Sequence, residues 1–121
     1  MTKFANDLVM DAALDFIIAE VERIVVMSAF TSTYASVAAI TLADNAIGTI
    51  TKANGDSSGR KAIVPQHATV PIDASGTATH VALVDDTGTR VISVTECTSQ
   101  VLTSGGTVTI PTFDEEIGDP T

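Results

Sequence analysis

The sequence predicts a mainly β fold with one N-terminal helix, an α+β arrangement whose antiparallel strands build a sandwich or barrel-like domain. Three observations predict it. Eighteen of the 121 residues are Thr, and with the many Val they favour extended backbone, because β-branched side chains suit a pleated surface. From Arg60 onward, short apolar runs alternate with turns that carry Gly or Pro, at roughly one strand per ten residues. Helical periodicity is clear only in the first part of the chain. The length allows one domain over 1–121 with a single modest core. With no Trp, one Tyr and four Phe, that core is built mostly from Ala, Val, Ile and Leu.

The N-terminal stretch "MTKFANDLVMDAALDFIIAEVER" reads as a helix over residues 2–22. Phe4, Leu8, Ala12 and Phe16 recur at every fourth position, flanked by Ala5, Val9, Ala13, Ile17 and Val21; this is the apolar stripe of an amphipathic helix. Thr2 or a neighbour is the expected cap. Asp7, Asp11 and Asp15 share another face, where like charges cost about 0.2–0.5 kcal/mol per pair. That stripe is expected to be solvated, the alternative being a cationic partner. Met10, Leu14 and Ile18 widen the apolar surface beyond what one sheet face covers and point to a second burial partner, such as a neighbouring subunit.

The β domain is expected over 23–117, with a tail at 118–121. "RIVVMSAF" is the first strand. "TSTYASVAAITLADNAIG" is ambiguous: its Ala content permits a helix, while Thr, Ser and Tyr favour an irregular crossing or arm. "KANGDSSGR" reads as a loop with an exposed tip at 54–59. "RKAIVP" is a strand ended by Pro65, and "ATVPI" an edge, since Pro71 donates no ladder hydrogen bond. "TATHVALVDD" and "TRVISVTE" form a hairpin about "DTG", and "TVTIPTFDEEI" closes the sheet after "SGG". Gly118 and Pro120 end regular structure after Ile117. Phe113 and Ile117 frame the terminal acids and are expected to anchor an arm on a neighbouring surface, the alternative being a frayed acidic tail.

The formal charge is −9, and no Lys or Arg follows Arg90. Such a chain lacks the basic stripe needed for nucleic acid and the Lys/Arg cluster that draws a protein to an anionic membrane. Proteins remain as partners, unless the acidity serves only solubility. The lone Cys97 forms no internal disulfide. Acids spread through the first 22 residues exclude a signal-peptide core and a membrane span, which predicts a soluble protein made in the cytoplasm.

Chemistry would be sought first in "ASGTATHVALVDDTGTRVISVTECTSQ", which holds His80, Asp85, Asp86 and Cys97. Strand alternation places His80 with Ala82 and Val84 and sends Asp85 to the other face, while Asp86 falls in the turn. A triad needs a base bonded to both a nucleophile and an orienting acid, and nothing here supplies both in register. Cys97 lies near the level of His80, but an activated thiolate needs positive surroundings and this region is acidic. His67 and His80, thirteen apart with a single Cys, match no zinc spacing. "FDEEIGD" and "NGDSSG" lack the acid pattern of a calcium loop. No dinucleotide, P-loop or nucleophile-elbow motif occurs. The sequence predicts no enzyme, no catalytic residue, no metal and no cofactor.

The pieces "SGRK", "ASGTATHVALVD", "CTSQ.LTSGGTV" and "P.FDEEIGDP", spread over residues 55–120, resemble small virion structural proteins of tailed bacteriophages, and the "DLVMDAALDFI" helix is similar in type. These are strands and turns, so the resemblance speaks to a phage origin more than to a position in the particle. It implies first a capsid decoration (cement) protein: small, β-rich, often trimeric, bound to the outer face of the capsid lattice. The implied partners are the major capsid protein or another virion protein and further copies of the chain, with a trimer favoured. The implied location is the virion, after synthesis in the host cytoplasm. A tail, neck or fibre-associated component is the alternative. A carbohydrate-binding β-sandwich ranks third, for want of aromatic platforms, and a small hydrolase last. Phe4, Leu8, Met10, Leu14, Ile18, Phe30, Tyr34, Phe113 and Ile117 are the candidate interface residues. The N-terminal helix and the 31–47 segment are expected to make oligomer or lattice contacts.

Overall fold

In the computed structural model, which describes residues 3–120, the elements run in the order α1 (Asp7–Glu20), β1 (Arg23–Met27), α2 (Tyr34–Ile40), β2 (Thr41–Ala46), β3 (Thr51–Asn54), β4 (Arg60–Val64), β5 (His67–Pro71), β6 (Gly76–Asp85), β7 (Arg90–Leu102), β8 (Thr107–Ile110) and β9 (Phe113–Ile117). This is the mainly β, sandwich-like α+β class that the sequence predicts. Two compact units draw on separated segments. One takes the chain up to Ala19, Gly48–Gln66 and the chain from Pro111; the other takes Glu20–Ile47 and His67–Ile110.

In the first unit α1 accompanies an antiparallel sheet of order β3-β4-β9. The helix starts later than its periodicity suggests, because Asn6 caps it: Asn6 Oδ1 accepts the Leu8 N–H at 2.9 Å, a bond worth about 1 kcal/mol. Thr2, the expected cap, lies outside the described residues. The helix also sits the other way round. Met10 and Leu14 are its buried residues, whereas Phe4, Leu8 and Phe16 of the four-residue apolar stripe are exposed. The physical reason is charge. Asp11 accepts from Arg60 Nε at 2.8 Å, and Lys52 Nζ lies 2.7 Å from Asp15. The Asp11–Asp15 side therefore carries ion pairs to cations of the sheet, Asp11 half-buried and Asp15 still open to water.

In that sheet the central strand β4 pairs with β3 from Thr51↔Ile63 to Asn54↔Arg60 and with β9 from Arg60↔Ile117 to Val64↔Phe113. Lys52–Asn54, expected in a loop, is thus strand. The turn narrows to 55–59, where Gly59 takes φ +73°, a left-handed conformation that glycine adopts without strain. Residues 113–117 form neither an arm nor a frayed tail. They are an edge strand, held by Lys61 Nζ on Asp114 at 3.1 Å and by Thr112 Oγ1 donating to the Val64 carbonyl at 2.7 Å. Pro111 splits the single closing strand expected over 107–117 into β8 and β9, because proline cannot continue a ladder.

The second unit holds an antiparallel sheet of order β2-β1-β6-β7 and a two-stranded sheet β5-β8. The 31–47 segment is no free arm: it forms α2 and then β2, which pairs with β1 from Arg23↔Ala46 to Met27↔Thr41. Val37 of α2 packs with Val25, Met27, Ala82 and Val84, and Ile40, Val91 and Val94 border them. Each of the fully buried Val and Met side chains stabilises the fold by about 1.5–3 kcal/mol through burial. Ile24, Val26, Ala43 and Leu83, on the opposite face of this sheet, are buried as well. The small sheet joins β2 at its end, where the Asp73 and Ala74 N–H groups donate to the Leu42 carbonyl at 2.7 and 3.1 Å.

Candidate functional site

The charged residues of the β6–β7 hairpin are engaged with their own turn. Asp85, buried at the end of β6, accepts the Gly88 N–H at 2.8 Å and receives Arg90 NH2 and Nε at 2.7 and 3.1 Å. These bonds, that from Gly88 foremost, hold its carboxyl below the usual carboxylate range. Glu22 Oε1 accepts the Thr87 N–H at 2.8 Å, so the turn is fixed from the β1 side too.

Asp86 lies one residue further and ties four elements together. Arg23 grips it as a fork, Nε to Oδ2 at 3.1 Å and NH2 to Oδ1 at 2.9 Å, while its third nitrogen reaches Asp44 of β2 at 2.6 Å. The Tyr34 hydroxyl of α2 donates to Asp86 Oδ1 at 2.8 Å. The Arg23 bond is the main reason the Asp86 carboxyl is held below its usual range. Donation to Asp86 pushes the Tyr34 hydroxyl up. Tyr34, expected at an interface, is committed through its hydroxyl to this internal network. The network's chemistry is that of a clamp: a bidentate Arg–carboxylate pair fixes distance and angle together.

His80, Asp85, Asp86 and Cys97 are not brought together. Five residues of extended strand separate His80 from Asp85, roughly 17 Å. His80 lies across from Met27 in the sheet, shares a hydrogen bond of 2.8 Å with Thr79 Oγ1, and meets the edge of Phe30 at a ring separation of 5.9 Å. Cys97 falls where the register passes from Ala78↔Gln100 to His80↔Glu96. Burial pushes its thiol up and the Glu96 charge adds to the shift, the reverse of what a thiolate nucleophile needs. His67 is buried at the start of β5, across from Ile110. Among the described residues no three His, Cys, Asp or Glu side chains are grouped so as to hold a metal ion. Nor is any described helix long and apolar enough to cross a membrane.

The feature that stands out is apolar surface. On the outer side of α1, Leu8, Val9 and Phe16 are 75, 65 and 46% exposed, and Phe4, just before the helix, is 83% exposed. Phe30 beyond β1 and Val101 on the outer strand β7 are also exposed. Of the candidate interface residues, Phe4, Leu8 and Phe30 are therefore at the surface. Met10 and Leu14 are core, a correction that follows from the orientation of α1. Ile18, Phe113 and Ile117 are half-buried, the last two within β9. Val9 and Phe16, part of the apolar stripe but not candidate interface residues, are at the surface too. The signal available for them was the width of the apolar surface beside the Asp7–Asp11–Asp15 stripe, more than one sheet face covers. Comparison with protein-family models, with curated proteins and with solved structures finds no match.

Proposed function

We propose that the chain is a non-enzymatic virion structural protein of a tailed bacteriophage, a capsid decoration protein that binds the outer face of the capsid lattice and stabilises the shell. One observation carries this reading. The charged side chains at α1 and the hairpin turn are engaged in holding the chain's own elements, while the surface presents large apolar side chains. That is the distribution of a protein that acts by contact rather than by chemistry. The sequence resemblance to small virion proteins supports the setting, and the net charge of −9 suits an exterior position away from packaged nucleic acid. Many copies with modest individual contacts would reinforce the shell through avidity.

The test is to add the purified chain to capsids that lack it. Saturable binding with a raised capsid melting temperature is expected. Attachment confined to tails or necks would replace this reading with that of a tail-associated component. Failure to bind any particle would reject both.

A further inference from the structure

We infer that the outer face of α1 pairs with α1 of a second copy of this chain. Apart from its Asp7–Asp11–Asp15 side α1 is largely apolar, and so wide an apolar surface normally belongs in an interior. In α1, Met10 and Leu14 are buried, yet the exposed positions include Leu8, Val9, Ala12, Ala13, Phe16 and Ala19. The exposed fractions of Phe4, Leu8, Val9 and Phe16 together with the alanines amount to roughly 500 Å² of apolar surface, taking about 150–250 Å² per aromatic side chain. A stable dimer buries about 800 Å² per partner, so this face supplies the apolar centre and leaves the remainder to a polar rim.

The pattern on the face selects a helix as its occupant. Val9, Ala12, Phe16 and Ala19 follow alternating steps of three and four, the spacing of a coiled-coil seam, with Leu8 and Ala13 beside it. Alanines in the middle let two helix axes approach to about 8 Å, and Val9 and Phe16 provide the knobs. Charge selects a second copy. The chain carries −9 overall, but at α1 Asp11 and Asp15 are matched by Arg60 and Lys52. Two copies therefore meet here with less repulsion than the rest of the acidic surface would impose. An anionic lipid surface is disfavoured, because the face has no border of Lys and Arg.

This inference is independent of the capsid reading, and its test is the solution mass of the full chain by light scattering. The wild type is expected as a dimer or small oligomer. Leu8→Glu/Val9→Glu places carboxylates from both copies in the seam. Both positions lie in the first turn of α1, where acids suit the helix dipole, so folding is retained and is checked by circular dichroism. Self-association is expected to weaken by roughly 100-fold or more, giving a monomer at the same concentration. Ala12→Glu, at an exposed mid-helix position, is expected to weaken it too and serves if the double variant misfolds. A monomeric wild type, whether or not it binds lipid vesicles or another protein, overturns the inference. So does an oligomer that folded variants leave intact, which would place the contact elsewhere, for instance along β7.

Discussion

Asp86 is the residue through which the internal clamp is best tested. Asp86→Ala removes the acceptor for both arms of the Arg23 fork and for the Tyr34 hydroxyl. A hydrogen bond to a charged group contributes about 1.5–3 kcal/mol when buried. Here the Arg23 and Asp86 side chains are 26 and 34% exposed, so water recovers part of each bond, and Asp44 retains its hold on Arg23 at 2.6 Å. A loss of about 2 kcal/mol follows. For a chain of 121 residues the unfolding entropy is about 2.1 cal/mol/K per residue, so the melting temperature should fall by about 8 °C. Asp86→Asn keeps an acceptor for Tyr34 but loses the charge, and about half that loss is expected. The pH dependence gives a second readout. The folded carboxyl is held below its unfolded value, so its contribution is complete above the unfolded value and fades as pH falls through the folded one. The wild type should therefore lose stability on acidification below about pH 5, and Asp86→Asn should lose less. Thermal unfolding at neutral and acid pH measures both. A drop under about 2 °C in Asp86→Ala, or equal acid sensitivity in the two proteins, would refute the clamp.

Gly59 and Gly105 both have positive φ, 73° and 90°, but a Cβ at Gly59 meets the Ile117 carbonyl whereas one at Gly105 meets open space. Gly105→Ala should cost about 1 kcal/mol from backbone strain alone, and Gly59→Ala clearly more; equal losses in denaturant titrations would contradict the β4–β9 geometry. Leu14→Ala empties a fully buried position and should cost about 2–5 kcal/mol. A near-neutral result would mean that α1 is not seated on its Met10–Leu14 side. Cys97 should be alkylated at neutral pH more slowly than an unperturbed thiol, given the upward push from burial and Glu96; rapid alkylation would show a thiolate the structure does not support.

The strands between Arg60 and Ile110 were legible because their signals are local: alternating side chains, Pro65 and Pro71 at strand ends, and turns at "DTG" and "SGG". What escaped depends on partners far along the chain. The orientation of α1 is set by Arg60 on Asp11, 49 residues apart, and with apolar residues on both sides of its acidic stripe the helix does not itself choose which side is buried. "FDEEI" belongs to the closing run of the sheet, but the partner it takes as a strand of its own is marked only by Lys61, 53 residues before Asp114. Asp86 was read correctly as a turn residue, but its bond to Arg23 spans 63 residues. The 31–47 segment divides into a helix and a strand because Thr41–Ala46 has β1 to pair with, which composition does not reveal. Exclusion of a His–Asp–Cys constellation, by contrast, needed only strand alternation.

The central claim, that this chain decorates a phage capsid, is tested most directly by imaging virions that carry a labelled copy. Label spread over the outer face of the capsid lattice in many copies is the result predicted. Label confined to the tail or neck, or absent from the particle, would contradict the account.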